Sequence, residues 1–225
     1  MIKPYKISVP KSTLNNIYKK IRAYPWRWMQ NVDGWEYGTN YNFLKKISKY
    51  WVSKYNWKKF ENKINSFRNY KTNVDGINLH FIVEKSKNPK SRPLLLLHGW
   101  PGSVIEFFNI IPRLAHPEKF GGKIEDGFDV IVPSLPGFGF STPIKKALGP
   151  RKIGRILNRF MVKNLGHKNY IVQGGDWGAT IAAWIGLDSA KNCKGIHINC
   201  LPIRHPKGQK IIKKKNGKKN SILIK

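Results

Sequence analysis

The stretch Tyr170-Ile171-Val172-Gln173-Gly174-Gly175-Asp176-Trp177-Gly178-Ala179 constrains this chain more than any other. A β-branched apolar run gives way to two glycines, an acid, a tryptophan and a third glycine, and a helical pattern follows from Ala179 to Trp184. That order predicts strand, sharp turn and helix, the layout of a nucleophile elbow, whose centre is usually Ser. Gly174 and Gly178 suit such a turn because its backbone is strained and the strand and helix cross too closely for a Cβ. Asp176 stands at the centre here. An ordinary carboxyl, with a pKa of about 3.9, is an anion at neutral pH and needs no base to activate it. An Asp at this position also suits the N-cap of the following helix, so the chemical reading needs support from elsewhere in the chain.

The rest of the sequence alternates in the same way. Leu94-Leu95-Leu96-Leu97 is a short continuous apolar run suited to a strand buried on both faces. A helix over about 104–114, a strand over 128–132, a helix over about 151–165, the elbow and a strand over 195–200 follow. This alternation predicts an α/β fold with a mostly parallel, doubly wound sheet. Ahead of it, Val74-Asp75-Gly76-Ile77 reads as a hairpin turn returning through Leu79 to Val83. The opening residues 1–69 read as a helical prefix. Leu14, Ile17, Tyr18 and Ile21 share one helical face, which Pro25 ends; Leu44, Ile47 and Trp51 mark a second helix from near Asn40; Trp57, Phe60, Ile64 and Phe67 mark a third. Such stripes are core faces, so the prefix is expected to pack on the later domain. Three parts result: a prefix at 1–69, an α/β core at 70–203 and a basic tail at 204–225 that reads as disordered.

The formal charge of +30 invites a nucleic-acid or anionic-membrane reading. The final stretch Lys207 to Lys225 holds eight Lys and no acid, so most of the excess lies elsewhere. It is spread along the chain, no nucleic-acid motif is present, and abundant Asn beside Lys points to compositional bias. No nucleic-acid partner is therefore expected, and a nuclear-localisation patch is the alternative reading of the tail. Cys193 and Cys200 are expected to be buried thiols, too far apart along one strand for a disulfide. No apolar run is long enough for a transmembrane helix or a signal peptide, which leaves a cytoplasmic location open.

Two loops support the chemical reading of the elbow. His98-Gly99-Trp100-Pro101-Gly102-Ser103 leaves the carboxyl end of the leucine strand, where open α/β sheets build their sites. The backbone N–H of Trp100 can pair with that of Trp177 as an oxyanion hole. His98 reads as a residue that shapes this loop by hydrogen bonding, with a catalytic base as the alternative. Pro133 to Ser141 follows the next strand, and within it Pro136, Gly137, Phe138 and Gly139 are candidate cleft residues, the glycines for positive φ. A carboxylate in such a site can open an epoxide or an alkyl halide and keep the carbon as an ester.

These motifs, with Trp35-Glu36-Tyr37-Gly38 in the prefix and Gly195 to Asn199 after the elbow, resemble the epoxide hydrolases of the α/β-hydrolase fold, in the microsomal and juvenile-hormone branch. The resemblance covers about residues 4–203. It implies that Asp176 attacks an oxirane carbon, that lid tyrosines assist the departing oxygen, and that a histidine oriented by an acid activates water against the ester. It further implies small apolar epoxides and water as the reaction partners, as in detoxification, aromatic hydrocarbon catabolism or juvenile hormone turnover. Neither a cofactor nor a metal is implied, and a microsomal, endoplasmic-reticulum membrane location is. It also suggests a cis Trp100–Pro101 bond.

The family places lid, acid and base after the strand that ends near Cys200, and no counterpart is identifiable here. The last Tyr is Tyr170, His205 opens the basic tail, and His197 alternates with Ile196 and Ile198 as a structural strand residue would. The chain therefore reads as the front half of such an enzyme, expected not to turn over epoxides alone. Its last strand would be an open apolar edge, prone to aggregation. Two alternatives remain: a haloalkane dehalogenase-like hydrolase, in which the tryptophan after the Asp holds halide, or a non-catalytic remnant with a basic tail.

Overall fold

The computed structural model describes residues 1–29 and 34–200. In chain order the strands are β1 (Lys3–Pro4), β2 (Arg68–Val74), β3 (Ile77–Glu84), β4 (Arg92–Leu97), β5 (Phe128–Pro133), β6 (Tyr170–Gly174) and β7 (Cys193–Ile198). The α-helices are α1 (Lys11–Arg22), α2 (Tyr41–Ser53), α3 (Trp57–Asn65), α4 (Ile111–Ala115), α5 (Pro150–Arg159) and α6 (Trp177–Asp188). One seven-stranded sheet runs β1-β2-β3-β5-β4-β6-β7. The last four in that order are parallel, and β1, β2 and β3 add an antiparallel flank. The hairpin turns at Asp75 and Gly76, both at positive φ (52° and 81°), as a two-residue turn between twisted strands requires.

The leucine run explains the layers. Leu95 and Leu97 enter one apolar cluster, with Phe160 just past α5 and with Ile181 and Ile185 of α6. Leu94 and Leu96 enter the other, with Ile7, Ile64 of α3, Phe108 and Ile111 of α4. Successive strand side chains point to opposite faces, so a strand covered on both sides must be apolar at every position. All four leucines are buried, and full burial of one such side chain stabilises by about 1.5–3 kcal/mol.

Several elements differ from the sequence expectation. The helix over 104–114 is broken into a 3-10 turn at Val104–Phe107 and the short α4. Pro112 is the cause, because it lacks the N–H that would bond back to Phe108, and a helix accepts proline only near its start. The helix over 151–165 is α-helical only to Arg159 and finishes in a π-turn, Phe160–Asn164. The last strand spans Cys193–Ile198, so Cys193 is buried while Cys200 lies beyond the strand end and is exposed; both thiols are free.

The prefix packs only in part. Ile7 and Ile64 are core residues. Buried Glu61 accepts from the Val9 N–H at 2.7 Å, and the Asn65 amide pairs with both backbone groups of Ile7. By contrast α1 and α2 bury no residue, and Ile17, Phe43, Ile47 and Trp51 are exposed. The basic tail from residue 204 and His205 lie outside the described residues. Among the described residues no helix is long and apolar enough to cross a membrane.

Candidate active site

Register brings the two key loops together. Leu94 pairs with Ile171 and Leu97 with Gly174, so β4 and β6 end at the same level and release their loops side by side. The β6–α6 turn is the sharp one that the glycine pattern requires. Asp176 sits at φ 49°, ψ −121°; with Asp75 it is one of two non-glycine residues at positive φ among those described. A backbone held there costs about 1–3 kcal/mol and persists only where the surroundings enforce it. The enforcement is visible. A Cβ on Gly174 would collide with the Gly178 backbone, one on Gly178 with the Leu97 carbonyl, and one on Gly99 would lie 2.6 Å from Asp176 Cβ.

Asp176 precedes α6 in the N-cap position, yet its side chain makes no capping bond. Its Oδ1 accepts the Trp100 backbone N–H instead, at 2.8 Å. The Trp100 amide, and after it the Trp177 amide, hold this carboxyl below the ordinary Asp range, against a smaller effect of burial. Both amides favour the anion, as N–H groups aimed at a carboxylate do. The Trp100–Pro101 peptide is cis.

His98 is completely buried. Its Nε2 accepts the Leu135 N–H at 3.0 Å, so the ring proton is on Nδ1, which donates to the Gly99 carbonyl at 2.9 Å. Burial lowers its pKa, and the ring is neutral. Phe138 stands edge-on to it, ring centres 5.4 Å apart. His98 thus ties the two loops together and faces no cleft. Gly137 and Gly139 do take positive φ, 91° and 48°.

An open cleft of about 400 Å³ lies over Asp176. Gly99, Trp100, Pro101 and Gly102 line it from one side and Gly175 with Asp176 from the other. Pro136, Gly137, Phe138 and Gly139 are not among its lining residues; their loop supports the cleft from behind through Leu135 and His98. Two further lining side chains escaped the sequence reading as site candidates, Glu106 and Asn199. Glu106 follows Ser103 by three, a helix-start spacing that hides any other role. Asn199 arrives only through the pairing of β7 with β6, where its N–H reaches the Gly174 carbonyl at 3.4 Å. Among the described residues no histidine lines the cleft, and His197 is exposed on β7. No group of three or more His, Cys, Asp or Glu among them is placed to hold a metal.

Comparison with known proteins decides the family. Residues 2–107 match the model for the epoxide hydrolase N terminus, and residues 92–215 match that for the alpha/beta hydrolase fold. The chain belongs to the α/β-hydrolase fold family, and its first half carries the N-terminal region of an epoxide hydrolase. Among such epoxide hydrolases, a putative one from Stigmatella aurantiaca is 40% identical over 206 residues, 91% of this chain and 46% of that protein. Epoxide hydrolase 1 of Oryctolagus cuniculus is 37% identical over 88% of this chain and 44% of its own length. The crystal structure of juvenile hormone epoxide hydrolase from the silkworm Bombyx mori superposes with a TM-score of 0.77 at 35% identity, over 88% of this chain and 47% of that one. The chain thus spans about half the length of the epoxide hydrolases it matches.

Proposed function

We propose that the cleft is the nucleophilic half of an epoxide-opening site. Asp176 attacks a ring carbon of a small apolar epoxide, the ring C–O bond breaks, and the alkoxide takes a proton from water, leaving an ester on Asp176. Water then adds to the ester carbonyl carbon, with the developing oxyanion on the N–H groups of Trp100 and Trp177, and collapse releases a vicinal diol. One donor in such a hole is typically worth about 2.7–4 kcal/mol. Gly99, Pro101 and Gly102 shape the wall that aims the Trp100 amide, and His98 with Pro136 to Gly139 brace that wall. The observation that carries this reading is the 2.8 Å bond from the Trp100 N–H to Asp176 Oδ1, in a turn held at positive φ.

Water needs a base for the second step, and no histidine lines the cleft among the described residues to take its proton. The expected product of this chain alone is therefore a trapped ester, with at most one event per molecule. Incubation with styrene oxide followed by intact-mass and peptide mass spectrometry tests this. One adduct on Asp176, absent from Asp176→Asn, is the expected result. An adduct elsewhere, or an equal one in Asp176→Asn, sinks the reading. Steady Asp176-dependent diol release would overturn the expectation of a trapped ester. The division at 1–69, 70–203 and 204–225 is part of this reading supported by the change of sequence pattern alone, and an endoplasmic-reticulum membrane location by family likeness alone.

A further inference from the structure

We infer that Glu106 is a specificity-determining residue of this cleft, a carboxylate that turns away anionic epoxides and leaves neutral ones unhindered. The inference rests on the epoxide-opening reading of Asp176 and extends it to the substrate's charge. The chain has 42 Lys and Arg against 12 Asp and Glu. Its surface therefore attracts anions almost everywhere. The cleft inverts that balance: its ionisable lining side chains are Asp176 and Glu106, and no Lys or Arg lines it.

The loop between them has room for both because it is glycine at the two points of approach. A Cβ on Gly99 would fall 2.7 Å from Asp176 Oδ1, and one on Gly102 would fall on the Glu106 carboxylate. The Glu106 backbone is set by its N–H bond to the Ser103 carbonyl at 3.1 Å. Its charge acts on the neighbourhood, since it opposes the effect of burial on His98. An anionic substrate arriving at Asp176 meets this second negative charge in the same open space, whereas a neutral one meets only its shape.

The test uses the full chain as wild type, Glu106→Gln and Glu106→Asp. Two probes on one aryl epoxide frame are compared, neutral styrene oxide and its anionic 4-carboxylate, and the rate of adduct formation on Asp176 is read by mass spectrometry. The Gln variant is expected to raise the anionic-to-neutral rate ratio about 3- to 10-fold at low salt, the effect of one like charge at roughly 8 Å in a partly solvated cleft. The gain should shrink in 0.5 M salt, which screens the charge but not a change of shape, as at a Debye length of only about 4 Å. Glu106→Asp should keep the wild-type ratio. An unchanged ratio in Glu106→Gln, or a gain that ignores salt, overturns the inference alone. Failure of the neutral probe to label wild-type Asp176 overturns the epoxide-opening reading, and the inference falls with it.

Discussion

The elbow and the α1–α2 pair are both drawn from amphipathic or apolar segments, yet they end in opposite states. Around the elbow, β4, β6 and α6 leave Leu97, Val172, Ile181 and Ile185 with almost no exposure. In α1 and α2 no residue is buried, although Ile17, Ile21, Phe43, Ile47 and Trp51 follow equally regular spacings. Periodicity states which face is apolar. It does not supply the partner that covers the face, and burial energy exists only where there is one. In the first region backbone approaches backbone at glycines; in the second, side chains meet solvent.

The largest expected effect tests that contrast directly. Gly178→Ala sets a methyl against the Leu97 carbonyl with no flexible side chain to yield. It should destabilise the chain by more than about 3 kcal/mol, in the range of severe overpacking with backbone strain, read as a fall in the urea midpoint. Gly186→Ala is the control. It lies in the same helix, where a Cβ would meet only Ile196 side-chain atoms at 3.4 Å and beyond, and it should be near neutral. Equal losses in the two variants would break the comparison.

An intermediate effect is expected from pH. Burial drives the His80 pKa down to about 3, with Lys71 adding to the shift. His80 Nε2 lies 3.0 Å from Asn69 Oδ1, and its Nδ1 lies 2.9 Å from the Ser134 hydroxyl. His98 is lowered as well, chiefly by burial. The unfolded chain takes up these protons near pH 6.5 and the folded chain resists them. Stability from these groups is therefore complete above about pH 6.5 and falls as pH drops toward the folded values, by up to roughly 1.4 kcal/mol per pH unit for each histidine. Thermal melts between pH 7.5 and 5 should show the midpoint falling, and His80→Gln should flatten that slope. A midpoint that is level across this window would remove the buried histidines from the account.

The smallest effect belongs to the exposed pair. Ile17→Ala and Phe43→Ala should each change stability by less than about 1 kcal/mol, against about 3–5 kcal/mol for Phe160→Ala in the core. Denaturant titration of the three variants sharpens the comparison into a ratio. A loss of more than about 2 kcal/mol in either exposed variant would mean that α1 and α2 are covered in solution.

The sequence by itself determined whatever depends on neighbours along the chain. The alternation of strands and helices, the Asp75-Gly76 hairpin and the elbow around Asp176 are local patterns of apolar period and glycine placement, and all are present in the fold. The break of the helix at Pro112 is equally local, since proline removes a donor wherever it stands. What only the tertiary structure decided depends on register between distant segments. Pairing of β4 with β6 sets the Trp100 amide on Asp176, 76 residues away. The same sheet turns His98 inward to Leu135 and brings Glu106 and Asn199 into one cleft. It also decides that the faces of α1 and α2 are at most half-covered while those of α5 and α6 are buried. A spacing of three or four residues announces an apolar face, but the surface that meets it is placed by strand pairing, which no local pattern carries.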